Sequence, residues 1–263
     1  MEVIIRPSAD SANELTARLI ADAIRERPNI VLGLATGRTM ERLYARLAEM
    51  HIKDKLDFSL VTTFNLDEYV GLAPEDPNSY RFYMNKHFFD KINIRKENTY
   101  LPDSCAKNLE EECLKYERKV KSVGGIDLQL LGIGVDGHIG FNEPLSALLS
   151  RTRVKALSPL TIKQNSPLFT PPSKMPRRAI TMGVGTILDA KRLIMLVTGR
   201  AKAEILAKAV EGPITSMISA SALQLHPKCT IITDEDAASL LKEKEYYYWI
   251  FNNEPEWEIY RSI

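Results

Sequence analysis

Apolar residues recur at helical spacing through Leu15, Leu19, Ile20, Ala23 and Ile24, and the pattern stops at Pro28. Ser11 with Glu14 three positions on has the form of a capping box, so the helix is expected to open there. Ile30 to Ala35 then run without polar alternation, as a parallel strand covered on both faces does. A Thr-Gly-Arg-Thr turn at 36–39 leads into a second helical face of Met40, Leu43, Tyr44 and Leu47. The same strand, turn, helix alternation predicts strands near 59–64, 126–131, 179–184, 192–197 and 229–233, with helices near 79–89 and 108–122. Strands alternating with helices imply an α/β fold: a mostly parallel, doubly wound sheet with helices on both faces.

No repeat, low-complexity tract or break in composition divides the chain, so a single domain over 1–263 is expected. The texture changes only over about 150–178, which is rich in basic residues, Ser, Thr and Pro and reads as a lid or surface excursion. At 44% hydrophobic and 26% charged residues, the chain suits a large buried core. Its 35 Lys and Arg balance 34 Asp and Glu, so no field of one sign exists to attract nucleic acid or an anionic membrane, and an anionic ligand must be caught locally. No run of about 18 apolar residues spans a bilayer. Three cysteines, Cys105, Cys113 and Cys229, lack CxxC spacing and have no third ligand nearby, which fits a reduced cytoplasmic protein without a zinc site.

In open parallel sheets, ligands collect beyond the carboxyl ends of the strands, and three such segments stand out. Thr36, Gly37, Arg38 and Thr39 combine a permissive glycine, two hydroxyls and the free N–H groups of a helix start, which is a phosphate cradle or an ordinary capped turn. The sequence lacks the GKT or GKS of a nucleotide loop and the GxGxxG of a dinucleotide site. In TTFNLDEYVGL at 62–72, Asp67 and Glu68 follow a strand, where a carboxylate serves as a general base or Asp67 or Glu68 merely caps the next turn. In GIGVDGHIGFNEP at 132–144, Asp136, His138 and Glu143 fall within eight residues on a glycine-rich loop. Carboxylates flanking a histidine can orient its ring and stabilise its imidazolium form, which makes this an acid–base device. His51, His87 and His226 are scattered elsewhere, so a metal site is not expected.

These two motifs, together with PNSY at 77–80, SRTRVKAL at 150–157, TMGVGTILDA at 181–190, KAEILAKAVEG at 202–212 and LQLHPK at 223–228, resemble the glucosamine-6-phosphate deaminase family nearly end to end. The resemblance implies a modified Rossmann-like fold and a homo-oligomer, often a hexamer. It also implies conversion of glucosamine 6-phosphate and water to fructose 6-phosphate and ammonia without a cofactor. It assigns C2 proton abstraction to Asp67 and ring opening to His138 with Asp136 and Glu143. Lys202 matches the family's phosphate lysine.

Two departures matter. The family's phosphate loop usually carries a small residue and then proline where this chain has Arg38 and Met40, and its phosphate arginine falls on Pro167. Arg38 is therefore expected either to supply a guanidinium from the opposite side or to be a solvated surface residue. Part of the family binds an activating N-acetylated amino-sugar phosphate, and that site maps to Ser146, Arg153, Lys155 and Tyr248, with Ala156 in place of a threonine. The alternative is a solvated edge strand and a packed Tyr248. Competing functions are deamination of another hexosamine phosphate such as galactosamine 6-phosphate, lactone hydrolysis, and sugar-phosphate sensing without catalysis. Retention of all four catalytic positions, with no DNA-binding helix pair, favours the enzyme.

Overall fold

The computed structural model describes residues 1–262. The chain opens with strand β1 (Glu2–Arg6), which the helical pattern had masked, and then helix α1 (Ala9–Glu26). The helix begins one turn earlier than the expected capping box, because the Ser8 hydroxyl accepts from the Ser11 N–H and so takes the cap position. There follow β2 (Val31–Leu34), α2 (Arg38–Lys53), β3 (Thr62–Asn65), β4 (Asp67–Tyr69), α3 (Tyr80–His87), β5 (Thr99–Tyr100), α4 (Leu109–Ser122) and β6 (Leu128–Leu131). The second half carries β7 (Arg153–Ala156), α5 (Pro159–Asn165), β8 (Arg178–Thr181), α6 (Val184–Leu188), β9 (Leu193–Val197), α7 (Ala203–Val210), β10 (Cys229–Asp234) and α8 (Lys244–Asn253).

Seven strands form one parallel sheet in the order β1-β10-β9-β6-β2-β3-β5. From β2 the chain moves outward to β3 and β5, then returns to the other flank of β2 as β6. The order thus reverses between β2 and β6, and a crevice opens there beyond their carboxyl ends. The central strands are buried throughout, as unalternating apolar runs require: Ile194, Met195, Ile231 and Ile232 have no exposed surface. Burying each such side chain stabilises the fold by about 1.5–3 kcal/mol. Phe64 stacks on Tyr100 at 5.0 Å and meets the edge of Tyr116, sealing the β3 flank under α4.

One expected strand lies elsewhere. The segment near 179–184 does not join the parallel sheet; β8 is the centre of a three-stranded antiparallel sheet, β4-β8-β7. Alternation with helices is a poor guide here, because β7 and β8 bracket the excursion and pair with one another as a hairpin does. A second apolar cluster of Tyr69, Phe141, Leu157, Phe169, Met175 and Ala179 fastens this small sheet and α5 over the crevice.

Candidate active site

Each strand beside the switch point delivers one part of the site. After β2, Gly37 takes a φ of 111°, which glycine alone adopts cheaply, and turns the chain into α2. No side chain caps that helix, so the first N–H groups of α2 remain available to an anion. Thr36 and Thr39 are half-buried at this turn, and Arg38 is exposed at its rim. The buried Met40 side chain comes within 3.2 Å of where a Cβ on Gly132 would sit, so the cradle packs directly on the start of the second loop. Lys202, in the turn before α7, donates to the Ile133 carbonyl at 2.8 Å, and burial holds its ammonium below the usual lysine range.

After β3, the chain passes straight into β4, and the two adjacent acids part. Glu68 accepts the N–H groups of Tyr80 and Arg81, each at 2.9 Å, and so caps α3. Asp67, only 5% exposed, turns toward the crevice beside Gly140 and Thr181. Burial first, then the neighbouring Glu68 charge, pushes its carboxyl up to about 8, partly offset by His138. Of the two acids, Glu68 is therefore the one that caps α3.

After β6 comes the loop 132–144. His138 Nδ1 lies 2.6 Å from Asp136 Oδ1 and 3.4 Å from Glu143 Oε2. Burial alone would lower the imidazole, but the two carboxylates outweigh it and raise it to about 9. The same contacts bring Asp136 to about 2, against its own burial, and lower Glu143. Gly134 has to be glycine because the imidazole lies over its Cα: a Cβ would stand 2.4 Å from Cε1 and Nε2. The three side chains offer ligand atoms within 4.8 Å of one another, a grouping that could suggest a metal.

The residues mapped to the effector site divide. Arg153 donates to Ser146 Oγ at 3.1 Å and to Asn142 Oδ1 at 2.9 Å, without an ion-pair partner among the described residues, while Lys155 lies two residues on in β7. Tyr248 is held in α8, which packs on β1, and its hydroxyl bonds to Glu235. A single chain therefore does not bring Tyr248 to the other three.

Residues that the sequence reading did not single out also shape the site. Asn165 donates to the Tyr69 hydroxyl at 3.1 Å, and Tyr80 reaches both that hydroxyl and Thr36, so α5 is linked to the cradle. Ser158 donates its main-chain N–H to Glu143 Oε1 at 3.0 Å. The Ser-Pro start of a helix is the one signal for it in the sequence.

A switch-point crevice with the uncapped start of α2 on one side, and the buried Asp67 carboxyl and the His138–Asp136–Glu143 cluster on the other, marks an α/β enzyme. The chain matches the family of glucosamine-6-phosphate isomerases and 6-phosphogluconolactonases over residues 6–232, and it belongs to that family. It is 46% identical to a glucosamine-6-phosphate deaminase of Thermoanaerobacter pseudethanolicus over 93% of this chain and 97% of that one. A solved structure described as a monomeric glucosamine-6-phosphate deaminase superposes with a TM-score of 0.89 at 45% identity, covering 91% of this chain and all of that one. The 6-phosphogluconolactonase of Trypanosoma brucei shares the fold, with a TM-score of 0.74 at 17% identity over 92% and 98% of the two chains.

Proposed function

We propose that this protein is a glucosamine-6-phosphate deaminase, converting glucosamine 6-phosphate and water to fructose 6-phosphate and ammonia. The observation that carries the reading is geometric: the buried Asp67 carboxyl stands beside Gly140 on the loop that also holds His138 against Asp136 and Glu143, with burial raising Asp67 to about 8 and the carboxylates raising His138 to about 9. Lactone hydrolysis needs no base to take a proton from carbon, and a buried Asp67 then has no task. The identity to deaminases and the distance from the lactonase point the same way.

The sugar phosphate is held by the N–H groups and threonines of 36–39, by Lys202 and by Arg38 at the rim. Imidazolium His138, oriented by Asp136 and Glu143, gives a proton to the ring oxygen and takes one from the anomeric hydroxyl, which opens the ring. Asp67 then removes the C2 proton to form an enolamine and returns it at C1, after which water adds at C2 and ammonia leaves. All of these steps are proton transfers and addition of water, so the reading calls for no metal or cofactor. The test is ammonia release from a panel of hexosamine 6-phosphates, with 6-phosphogluconolactone hydrolysis alongside. Glucosamine 6-phosphate is expected to be preferred; faster turnover of the galactose epimer would reassign the substrate, and lactone hydrolysis without ammonia release would sink the reading.

Three further features belong to the same reading. The segment 150–178 acts as a lid, supported by its fastening through α5 and a small sheet rather than through the main core. The effector site forms between subunits, with Tyr248 supplied by a neighbour, which the separation of Tyr248 from Ser146, Arg153 and Lys155 requires. The protein works in the cytoplasm, consistent with the absence of any described helix long and apolar enough to cross a membrane.

A further inference from the structure

Glu143 must present one carboxylate oxygen to His138, yet the loop that carries it does not determine how that carboxylate is turned. Its other oxygen, Oε1, is fixed from outside the loop by the main-chain N–H of Ser158 at 3.0 Å. Ser158 caps α5: its hydroxyl accepts the Thr161 N–H at 3.1 Å and donates to Thr161 Oγ1 at 3.1 Å. Thr161 is 2% exposed, and its side chain faces the same carboxylate. With Oε1 held in this way, Oε2 is left 3.4 Å from His138 Nδ1.

We infer that Ser158, through its main-chain N–H, is a positioning residue for ring opening, turning Glu143 so that it supports the His138 imidazolium. The inference rests on the deaminase reading and deepens it. A hydrogen bond from a neutral N–H to a carboxylate is of the stronger, charge-assisted kind; without it α5 holds Glu143 through the Thr161 side chain alone, and the carboxylate's terminal torsion has only broad minima. The charged groups around His138 are Asp136 and Glu143 on its own loop, Asp67 from β4, and Lys202 acting through Asp136. Of these, Glu143 alone is held by α5.

The backbone at Ser158 permits a discriminating pair of variants. Its φ of −68° and ψ of 154° are those of proline, so Ser158→Pro removes the N–H without demanding a new backbone conformation. Ser158→Ala removes only the capping hydroxyl and keeps the N–H. With glucosamine 6-phosphate, protonated or deuterated at C2, Ser158→Ala is expected to keep kcat within about threefold of the parent. Ser158→Pro should lose a further factor of roughly 10–100 in kcat, with KM within about threefold, as expected for a lost hydrogen bond to a charged group. Because ring opening then limits turnover, its C2 deuterium isotope effect should shrink toward 1. Equal kcat for the two variants, or an undiminished isotope effect, overturns the inference. If Ser158→Pro does not fold, an amide-to-ester replacement at 158, which retains the hydroxyl, takes its place with the same expectations. Should the parent release no ammonia, the deaminase reading fails separately. The positioning claim is then decided by NMR titration of His138, expected lower in Ser158→Pro than in Ser158→Ala and refuted if the two titrate alike.

Discussion

Burial makes the Asp67 carboxylate more basic, and at neutral pH this costs stability. The folded chain holds its proton up to about pH 8, whereas an unfolded aspartate releases it near 4, so between those values the native state binds more protons and stability falls as pH rises. Replacing it with asparagine abolishes the base and also removes this penalty, worth about 1.4 kcal/mol per pH unit over that span before the buried amide's own cost. Asp67→Asn should therefore lose nearly all ammonia release while its melting temperature, relative to the parent, climbs from pH 4 to pH 8 and levels off above. A flat difference would show that the carboxyl is not buried as described. The proposed mechanism needs Asp67 ionised and His138 protonated, so kcat/KM should rise with pH toward about 8, fall above about 9, and peak between. Loss of one limb would remove the corresponding group from the free enzyme's chemistry, and a plateau across pH 6 to 10 would remove both.

Among the elements, α2 and α4 do different work. In the proposed function the terminus of α2 holds the phosphate, and Arg38, exposed at its rim, stands in for the arginine absent at Pro167. Arg38→Ala should raise KM about 10- to 100-fold with a smaller change in kcat, as expected when a charged hydrogen bond is lost. An unchanged KM returns Arg38 to the solvent. Helix α4 instead anchors the excursion. The buried Glu117 carboxylate accepts from the Arg151 guanidinium, the Thr152 N–H and hydroxyl, and the Thr186 hydroxyl at 2.5–3.2 Å, joining α4 to the start of β7 and to α6. Glu117→Ala strands the buried Thr152 and Thr186 donors, while Arg151 keeps Asp189, and should cost about 2–4 kcal/mol in urea unfolding. A loss under 1 kcal/mol would mean that water replaces the carboxylate.

At the scale of the whole molecule, the open question is assembly. Leu145 and Leu149 are 75% and 85% exposed, and the Leu145 N–H bonds to the Ser216 carbonyl beside the exposed Met217, so two loops form one apolar face. Our reading of a homo-oligomer with an intersubunit effector site expects a sedimentation mass that is a multiple of 29.7 kDa. It also expects N-acetylglucosamine 6-phosphate to turn a sigmoidal rate curve hyperbolic. A 29.7 kDa particle with superimposable curves would instead align this chain with the relative described as monomeric and leave the Arg153 cluster without an effector role.

The sequence alone determined what depends on neighbours along the chain. Unalternating apolar runs marked most of the parallel strands, Asn108 and Ser79 marked helix starts, and the spacing of Asp136, His138 and Glu143 placed all three on one loop, close enough to contact one another. Local pattern could not decide between Asp67 and Glu68, because the choice is made by the N–H groups of α3, a dozen residues away. Nor could it show that 178–181 leaves the main sheet, that Gly134 is glycine to admit an imidazole, or that Ser158 turns Glu143. Each of these is a contact between segments that only the folded chain brings together. Burial raises Asp67 and two carboxylates raise His138 against their own burial, and both effects exist only once water has been excluded from the crevice.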